Sequence, residues 1–412
     1  MLQRINEPSC CTVPSFRGGQ AQGAAQRQRG ATGLERSLKT RAALGNAEQV
    51  PCGAPTRKDF FSIALTSWVA LLRALMTEIE TSTPSNDSPG LALWRDDLPR
   101  WRHLVQARWL HALLAGTEVE AAPEGAWHVF EVGEEPWSSA QAPTLPGARW
   151  LDVQRFEHGP LWNKVPDEVL LRQLGELGIR HDTTVVLASR KGVANVRRAH
   201  LLLYAGVGDV RLLEGGTQAW VRAGFPVARE APPAPQPVAT FGLARVACPQ
   251  YLVDTAQVRT LQQKPDATLV SIRTRGEFTG RTSGYDYIEA EGDIAGARWG
   301  HAGADGDVND MSAFYTREGL MLDAAAIEAM WHSQGIEAHG HTVFYCGTGW
   351  RASLAFYYAW LMGWAQICVY DGGWLEWSSD PANPTINRQL RPNDRSIHAQ
   401  ASALDFSMDA QP

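Results

Sequence analysis

The sequence predicts an α/β protein built from two tandem copies of one domain, each a parallel sheet flanked by helices. Three observations predict it. Strand-like and helix-like segments alternate from about Trp94 onward, the pattern of βαβ units. The same programme runs twice through 412 residues, a length that holds two or three domains. The copies also register without a gap: Gly178-Ile179 falls on Gly335-Ile336, Gly206 on Gly363, Gly215-Gly216 on Gly372-Gly373 and Trp220 on Trp377, every pair 157 residues apart. A "GARW" string occurs in both copies, at 147–150 and 296–299.

In order, "LVQARWLHALL" (104–114) reads as helix and "WHVFEV" (127–132) as strand. "PDEVLLRQLGELGI" (166–179) has the apolar spacing of an amphipathic helix, and "TTVVLAS" (183–189) is a short apolar run fit for a buried strand. "RRAHLLLYAGV" (197–207) reads as helix, and "DVRLLEGG" (209–216) as a strand ending on two glycines. The proline-rich "REAPPAPQPVATFG" (229–242) is a linker. In the second copy "HTVFYC" (341–346) is a buried strand and "RASLAFYYAWLMGW" (351–364) the helix after it. The expected divisions are an extension over 1–93, domains over 94–228 and 246–387 joined by a linker over 229–245, and a polar tail over 388–412. The extension lacks apolar periodicity for most of its length and is expected to be disordered, or to precede a true start at Met76. Its one apolar stretch, 60–76, is short and interrupted by Arg73, so no membrane span is expected.

Hydrophobic residues at 44% and charged residues at 20% describe a globular protein with ample core. A net charge of −6 gives no reason to expect nucleic acid as partner. The six cysteines form no CxxC pair, no zinc spacing and no disulfide framework, so a reducing cytoplasm is expected and single thiols carry the interest. Cys368, inside a β-branched strand, reads as core. Cys346 differs. It ends a strand and is followed by Gly347, Thr348, Gly349, Trp350 and Arg351 before a helix begins. In open α/β sheets this turn is where ligands bind. The glycines let successive N–H groups curl toward one point at a helix N-terminus, which favours a thiolate or an anion, and Arg351 adds a cation. Under the 157-residue register Ser189 takes the place of Cys346, so the first copy has a hydroxyl where the second has a thiol.

The duplicated domain, the loop Cys346 to Arg351 and the "YDGGWLEW" closure (370–377) together resemble a tandem-domain rhodanese. The resemblance implies a sulfurtransferase in which the last cysteine carries a persulfide and the first domain is inactive, in keeping with Ser189. It implies an arginine that meets the anionic donor, placed here at Arg273, although Ser271 stands where the family has an aspartate. Gly133 occupies the arginine's place in the first copy. The insertion "TSGYDYIEAEGDIAGARWGHAGADGDVNDM" (282–311) with "CGTGWRAS" resembles the offshoot that sulfurates hercynine, a trimethylated histidine, to ergothioneine. That resemblance assigns proton transfer to Tyr287 beside the catalytic Cys346. Gly347, Thr348, Gly349, Trp350, Arg351, Arg273 and Tyr285 are the expected substrate-binding residues. Trp350, Tyr285 and Trp299 are candidate ring faces for a quaternary ammonium group.

The donors left open are polysulfide, thiosulfate and 3-mercaptopyruvate. No metal or organic cofactor is implied, and the partners are a small-molecule sulfur donor and acceptor. The acidic run 305–310 reads as a solvated loop, and "LWNKVPDE" (161–168) either as a contact between the copies or as a plain capped helix start. Two rival readings are a cysteine phosphatase and a non-catalytic binding module. Phosphatase loops have five residues between cysteine and arginine, whereas four separate Cys346 from Arg351.

Overall fold

Two five-stranded parallel sheets carry the chain, and they repeat one strand order. The first contains β1 (Leu104–Val105), β2 (Trp127–Gly133), β3 (Arg149–Asp152), β4 (Thr184–Ser189) and β5 (Asp209–Leu213), ordered β1-β5-β4-β2-β3. The second contains β6 (Leu252–Val253), β7 (Ala267–Ser271), β9 (Arg298–Trp299), β10 (His341–Tyr345) and β11 (Ile367–Tyr370), ordered β6-β11-β10-β7-β9. Between β7 and β9, β8 (Asp293–Ile294) leaves the sheet and pairs antiparallel with β12 (Thr385–Ile386). In this computed structural model the described residues are 94–389, apart from 134–136, 139–142, 158 and 191. The expectations for 1–93, and for the tail beyond 389, lie outside them.

The first half adds α1 (Ala107–Leu114), α2 (Asp167–Glu176), α3 (Ala194–Ala205) and α4 (Gly216–Arg222). The second half adds α5 (Thr255–Leu261), α6 (Arg275–Thr279), α7 (Ala324–His332), α8 (Trp350–Leu361) and α9 (Gly373–Ser379). The segment 104–114 is not one helix. Leu104 and Val105 pair with Leu212 and Leu213 as an edge strand, and the helix starts only after Gln106. Both residues are buried there, a gain that local helix propensity does not match.

The two halves meet along α3 and α8. Every residue of α3 is buried, as is every residue of α8 except Trp350, and the helices pack on one another. A helix apolar all round belongs inside a core, and one hydrophobic cluster runs through both halves. Several polar groups of α3 find partners in place. Arg197 and Arg198 bond Glu157, Arg197 also bonds Asp371 of the second half, and His200 bonds the Tyr251 carbonyl at 2.8 Å.

A reciprocal lock holds the halves together. The Lys164 N–H donates to the Asp371 carboxylate at 2.8 Å, and the Met321 N–H bonds Glu214. Lys164 and Met321, like Glu214 and Asp371, occupy the same positions in their copies. The expected contact at 161–168 is therefore present, with Asn163 also donating to Glu376 at 2.8 Å. The proline-rich segment is pinned rather than loose: Val238 N–H donates to the Gly175 carbonyl, and the Phe241 carbonyl accepts from His181 N–H.

Candidate active site

Cys346 stands at the carboxyl end of β10, the middle strand of its sheet, and is 1% exposed. The next residues bend without a hydrogen-bonded turn until α8 begins at Trp350. Their carbonyls are drawn to one side: Cys346 accepts from Trp374 N–H at 2.7 Å and Gly347 from Leu375 N–H at 3.1 Å. The "YDGGWLEW" segment supplies both donors, which explains its place beside the loop. The backbone N–H groups of Gly347 through Arg351 donate to no acceptor among the described residues. Five uncommitted amides at the start of a twelve-residue helix make a cradle for negative charge.

The two glycines serve different needs. Gly349 is left-handed, with φ 84°, and a Cβ there would sit 3.3 Å from an Arg197 nitrogen and from the Asp371 carbonyl. Gly347 is not left-handed. It is required because the Tyr285 phenol occupies the place of its missing side chain.

Arg351 does not face the cradle as a free cation. It is 1% exposed and makes a bidentate pair with Glu277, at 2.9 and 2.8 Å, while one nitrogen also donates to the Tyr285 hydroxyl at 2.7 Å. Glu277 is held by the start of α6, where Thr274 and Glu277 form a capping box. Burial pushes the Glu277 carboxyl up, but Arg351 and then Arg273 outweigh it and hold it down at about 2.

The expectation that Arg273 binds substrate is corrected. Arg273 is fully buried and spends its donors on Glu277 (3.3 Å), the Gly292 carbonyl (2.6 Å) and the Ser283 carbonyl (3.2 Å). It anchors the tyrosine-bearing insertion from beneath. Nor is its buttress lost with Ser271. Asp293 lies 3.5 Å from Arg273 and accepts from Ser271 at 2.7 Å and from Tyr345. The carboxylate has moved to another strand. In the first half, Trp150 fills the space a side chain at Gly133 would take.

Above the cradle lies a cavity of about 290 Å³, to which both halves contribute. The second half gives Tyr285, Tyr287, Thr348, Trp350 and Arg351, and the first half gives Val153, Glu157 and Trp162. The two tyrosine rings stand 5.4 Å apart, and Tyr287, half-exposed, is within hydrogen-bonding reach of Thr348. Burial raises both phenols above their ordinary range, and a thiolate at Cys346 raises them further. Both therefore hold their protons near neutral pH.

Trp299 is not part of this wall. It stacks on His301 at 3.8 Å, and Arg275 lies 4.8 Å from its centroid. The run 305–310 is more than a solvated loop, since Val308 and Asn309 line the cavity.

Glu277, Trp162 and Glu157 were not among the sequence candidates. The T-x-x-E string in "IRTRGEF" signals the first. Trp162 falls inside the 161–168 segment already read as a contact, nothing local signals Glu157, and both reach the site through the packing of the halves. Cys368 is core, as expected, and burial drives its thiol well up.

Known proteins are similar to this chain in sequence and fold. The rhodanese-like domain family matches residues 116–223 and 254–380. The thiosulfate sulfurtransferase YnjE of Escherichia coli is 48% identical over 72% of this chain and 68% of its own length, and its crystal structure superposes with a TM-score of 0.69. The structure of EanB is 34% identical, covers 70% of each chain and superposes with a TM-score of 0.67. EanB has been solved with hercynine and, as a cysteine persulfide, with ergothioneine. Human 3-mercaptopyruvate sulfurtransferase is 27% identical over 67% of this chain and 92% of its own length. The chain belongs to the rhodanese family of sulfurtransferases.

Proposed function

We propose that this chain takes sulfane sulfur onto Cys346 as a persulfide and passes it to the imidazole carbon of hercynine, giving ergothioneine. The second half is the catalytic one and the first half, with Ser189, is silent. The observation that carries the reading is the aromatic cavity over the cysteine loop, with Tyr287 beside Thr348 and both nearby arginines already paired. Trp162, Trp350 and Tyr285 offer ring faces to a trimethylammonium group. In EanB, the substituted tyrosine precedes the persulfide cysteine by the same number of residues as Tyr287 precedes Cys346, and the substituted threonine follows it by two, as Thr348 does.

The steps balance without another oxidant. The Cys346 thiolate attacks the outer sulfur of the donor, and the donor's remaining group leaves with the electron pair. The loop amides hold the terminal sulfur anion. A C–S bond then forms at the imidazole carbon as the S–S bond breaks, and Cys346 leaves as thiolate. The proton lost from carbon ends on the thione's ring nitrogen, relayed by Tyr287.

A second reading, transfer from thiosulfate or 3-mercaptopyruvate to a small thiophile such as cyanide, is favoured by the higher identity to the Escherichia coli thiosulfate sulfurtransferase. The paired state of Arg351 and Arg273 weighs against a dianionic donor. Incubation with polysulfide and hercynine distinguishes the readings. Ergothioneine formation is expected, and rapid thiocyanate formation with no product from hercynine would leave only the second. Mass spectrometry should show Cys346 gaining one sulfur mass per transfer. An equal gain in Cys346→Ser would remove both readings. Tyr287→Phe should load normally and transfer to carbon about 10²–10⁴-fold more slowly.

A further inference from the structure

The duplication builds a second cavity that sulfur transfer leaves unused. It measures about 250 Å³ and lies at the Ser189 end of β4. Its plan repeats the first cavity with the halves exchanged. There, Val153 to Trp162 of the first half closes over the second half's loop. Here, Tyr315 to Met321 of the second half closes over the first half's, and Gly319 is the counterpart of Trp162 one repeat on.

The chemistry has changed along with the thiol. Asn195, in the first turn of α3, replaces an alanine of α8 (Ala352) and lines the cavity at 8% exposure. Its Oδ1 accepts from Val196 N–H at 3.0 Å, and its amino group has no acceptor among the described residues. The N–H group of Gly192, which also lines the cavity, likewise donates to none of the described residues. Arg222 lines the same end and spends one nitrogen on the Glu318 carbonyl. The carboxylate at this end, Glu214, is already held by Arg95 and by Met321 N–H. The cavity lining also has an apolar part, Leu104, Val196, Leu212 and Met321.

We propose that this cavity is a binding site for a small organic carboxylate. The carboxylate lies on the Asn195 amino group, the Gly192 amide and Arg222, and its carbon skeleton lies against the leucine and methionine side chains. Ser189 cannot accept sulfane sulfur, so the ligand is bound and released unchanged.

Pyruvate is the probe, with inorganic sulfate as the anion that lacks a carbon skeleton. The full chain is titrated calorimetrically with each, and its crystals are soaked with each. Pyruvate is expected on Asn195, with sulfate binding more weakly. Asn195→Asp, which keeps the side chain's shape but opposes a carboxylate, should weaken pyruvate binding by about tenfold or more. Asn195→Leu should do the same, and both variants should load persulfide on Cys346 at the normal rate. The proposal fails if pyruvate binds nowhere or occupies only the Cys346 loop. It also fails if either folded variant binds pyruvate as tightly as the parent, or if sulfate binds the Asn195 site as tightly as pyruvate.

Discussion

Glu277 concentrates the electrostatics of the site in one side chain. It satisfies two buried guanidinium groups, and through Arg351 it fixes the Tyr285 hydroxyl over the cysteine loop. Removing one partner of a buried pair leaves a charge without compensation, at a cost of about 3–5 kcal/mol. Glu277→Gln should therefore lower stability by about that amount in urea titrations, more than Tyr287→Phe does. The pH dependence has a definite sign. A carboxyl held at about 2 when folded, against about 4.5 when unfolded, contributes fully above about pH 4.5 and loses its contribution as pH falls toward 2. The acid limb of a stability profile should flatten over that window in Glu277→Gln. An unchanged limb would mean that other carboxyls dominate.

At the scale of elements, the loop is formed by what surrounds it. Carbonyls drawn toward α9 turn the N–H groups the other way, and Tyr285 and Arg197 close the space from opposite sides. Alanine at 349 must adopt a left-handed backbone, costing about 1–2 kcal/mol, and must also crowd a buried arginine. Alanine at 347 has no backbone strain to face but displaces the Tyr285 phenol. Gly347→Ala should thus leave stability nearly intact and impair sulfur transfer, whereas Gly349→Ala should lose both. Paired melting curves and persulfide assays test this contrast. A parallel loss in both variants would contradict the separate roles of the two glycines.

Over the whole molecule, the halves behave as one cooperative body because their charges and cores are shared. Asp371 joins Arg197 and the Lys164 amide to the strand beside the cysteine loop. His103 and His200 lie along the same seam, ringed by Trp360 and Phe356 of the second half. Burial holds His103 down at about 4 and His200 at about 3. An unfolded histidine takes up its proton near pH 6.5, so the unfolded state binds more protons as pH drops from there. Stability should fall from about pH 6.5 toward 3, starting before the carboxyl effect and overlapping it below about pH 4.5. Tryptophan fluorescence and circular dichroism should report one coincident transition for both halves. His200→Phe should soften the upper part of this acid limb, and separate melting of the halves would overturn the shared-core account.

The sequence by itself determined the duplication, the parallel sheets, the strand-to-helix loop at Cys346 and the serine, Ser189, in the matching place of the first copy, because these depend on local periodicity and on residues adjacent in the chain. Tyr285, Tyr287, Trp350 and the 161–168 contact were also legible, through motif resemblance or composition. Only the tertiary structure decided what the arginines do. Arg351 and Arg273 look like free cations in the text of the chain, and their neutralisation depends on Glu277 and Asp293, which folding brings to them. Trp299 and Trp162 exchange importance for the same reason: one ring is covered by its neighbours, and the other is carried across the seam between halves. A charge or a ring acquires its role from what lies within a few ångströms, and those neighbours are set by packing between segments far apart in sequence.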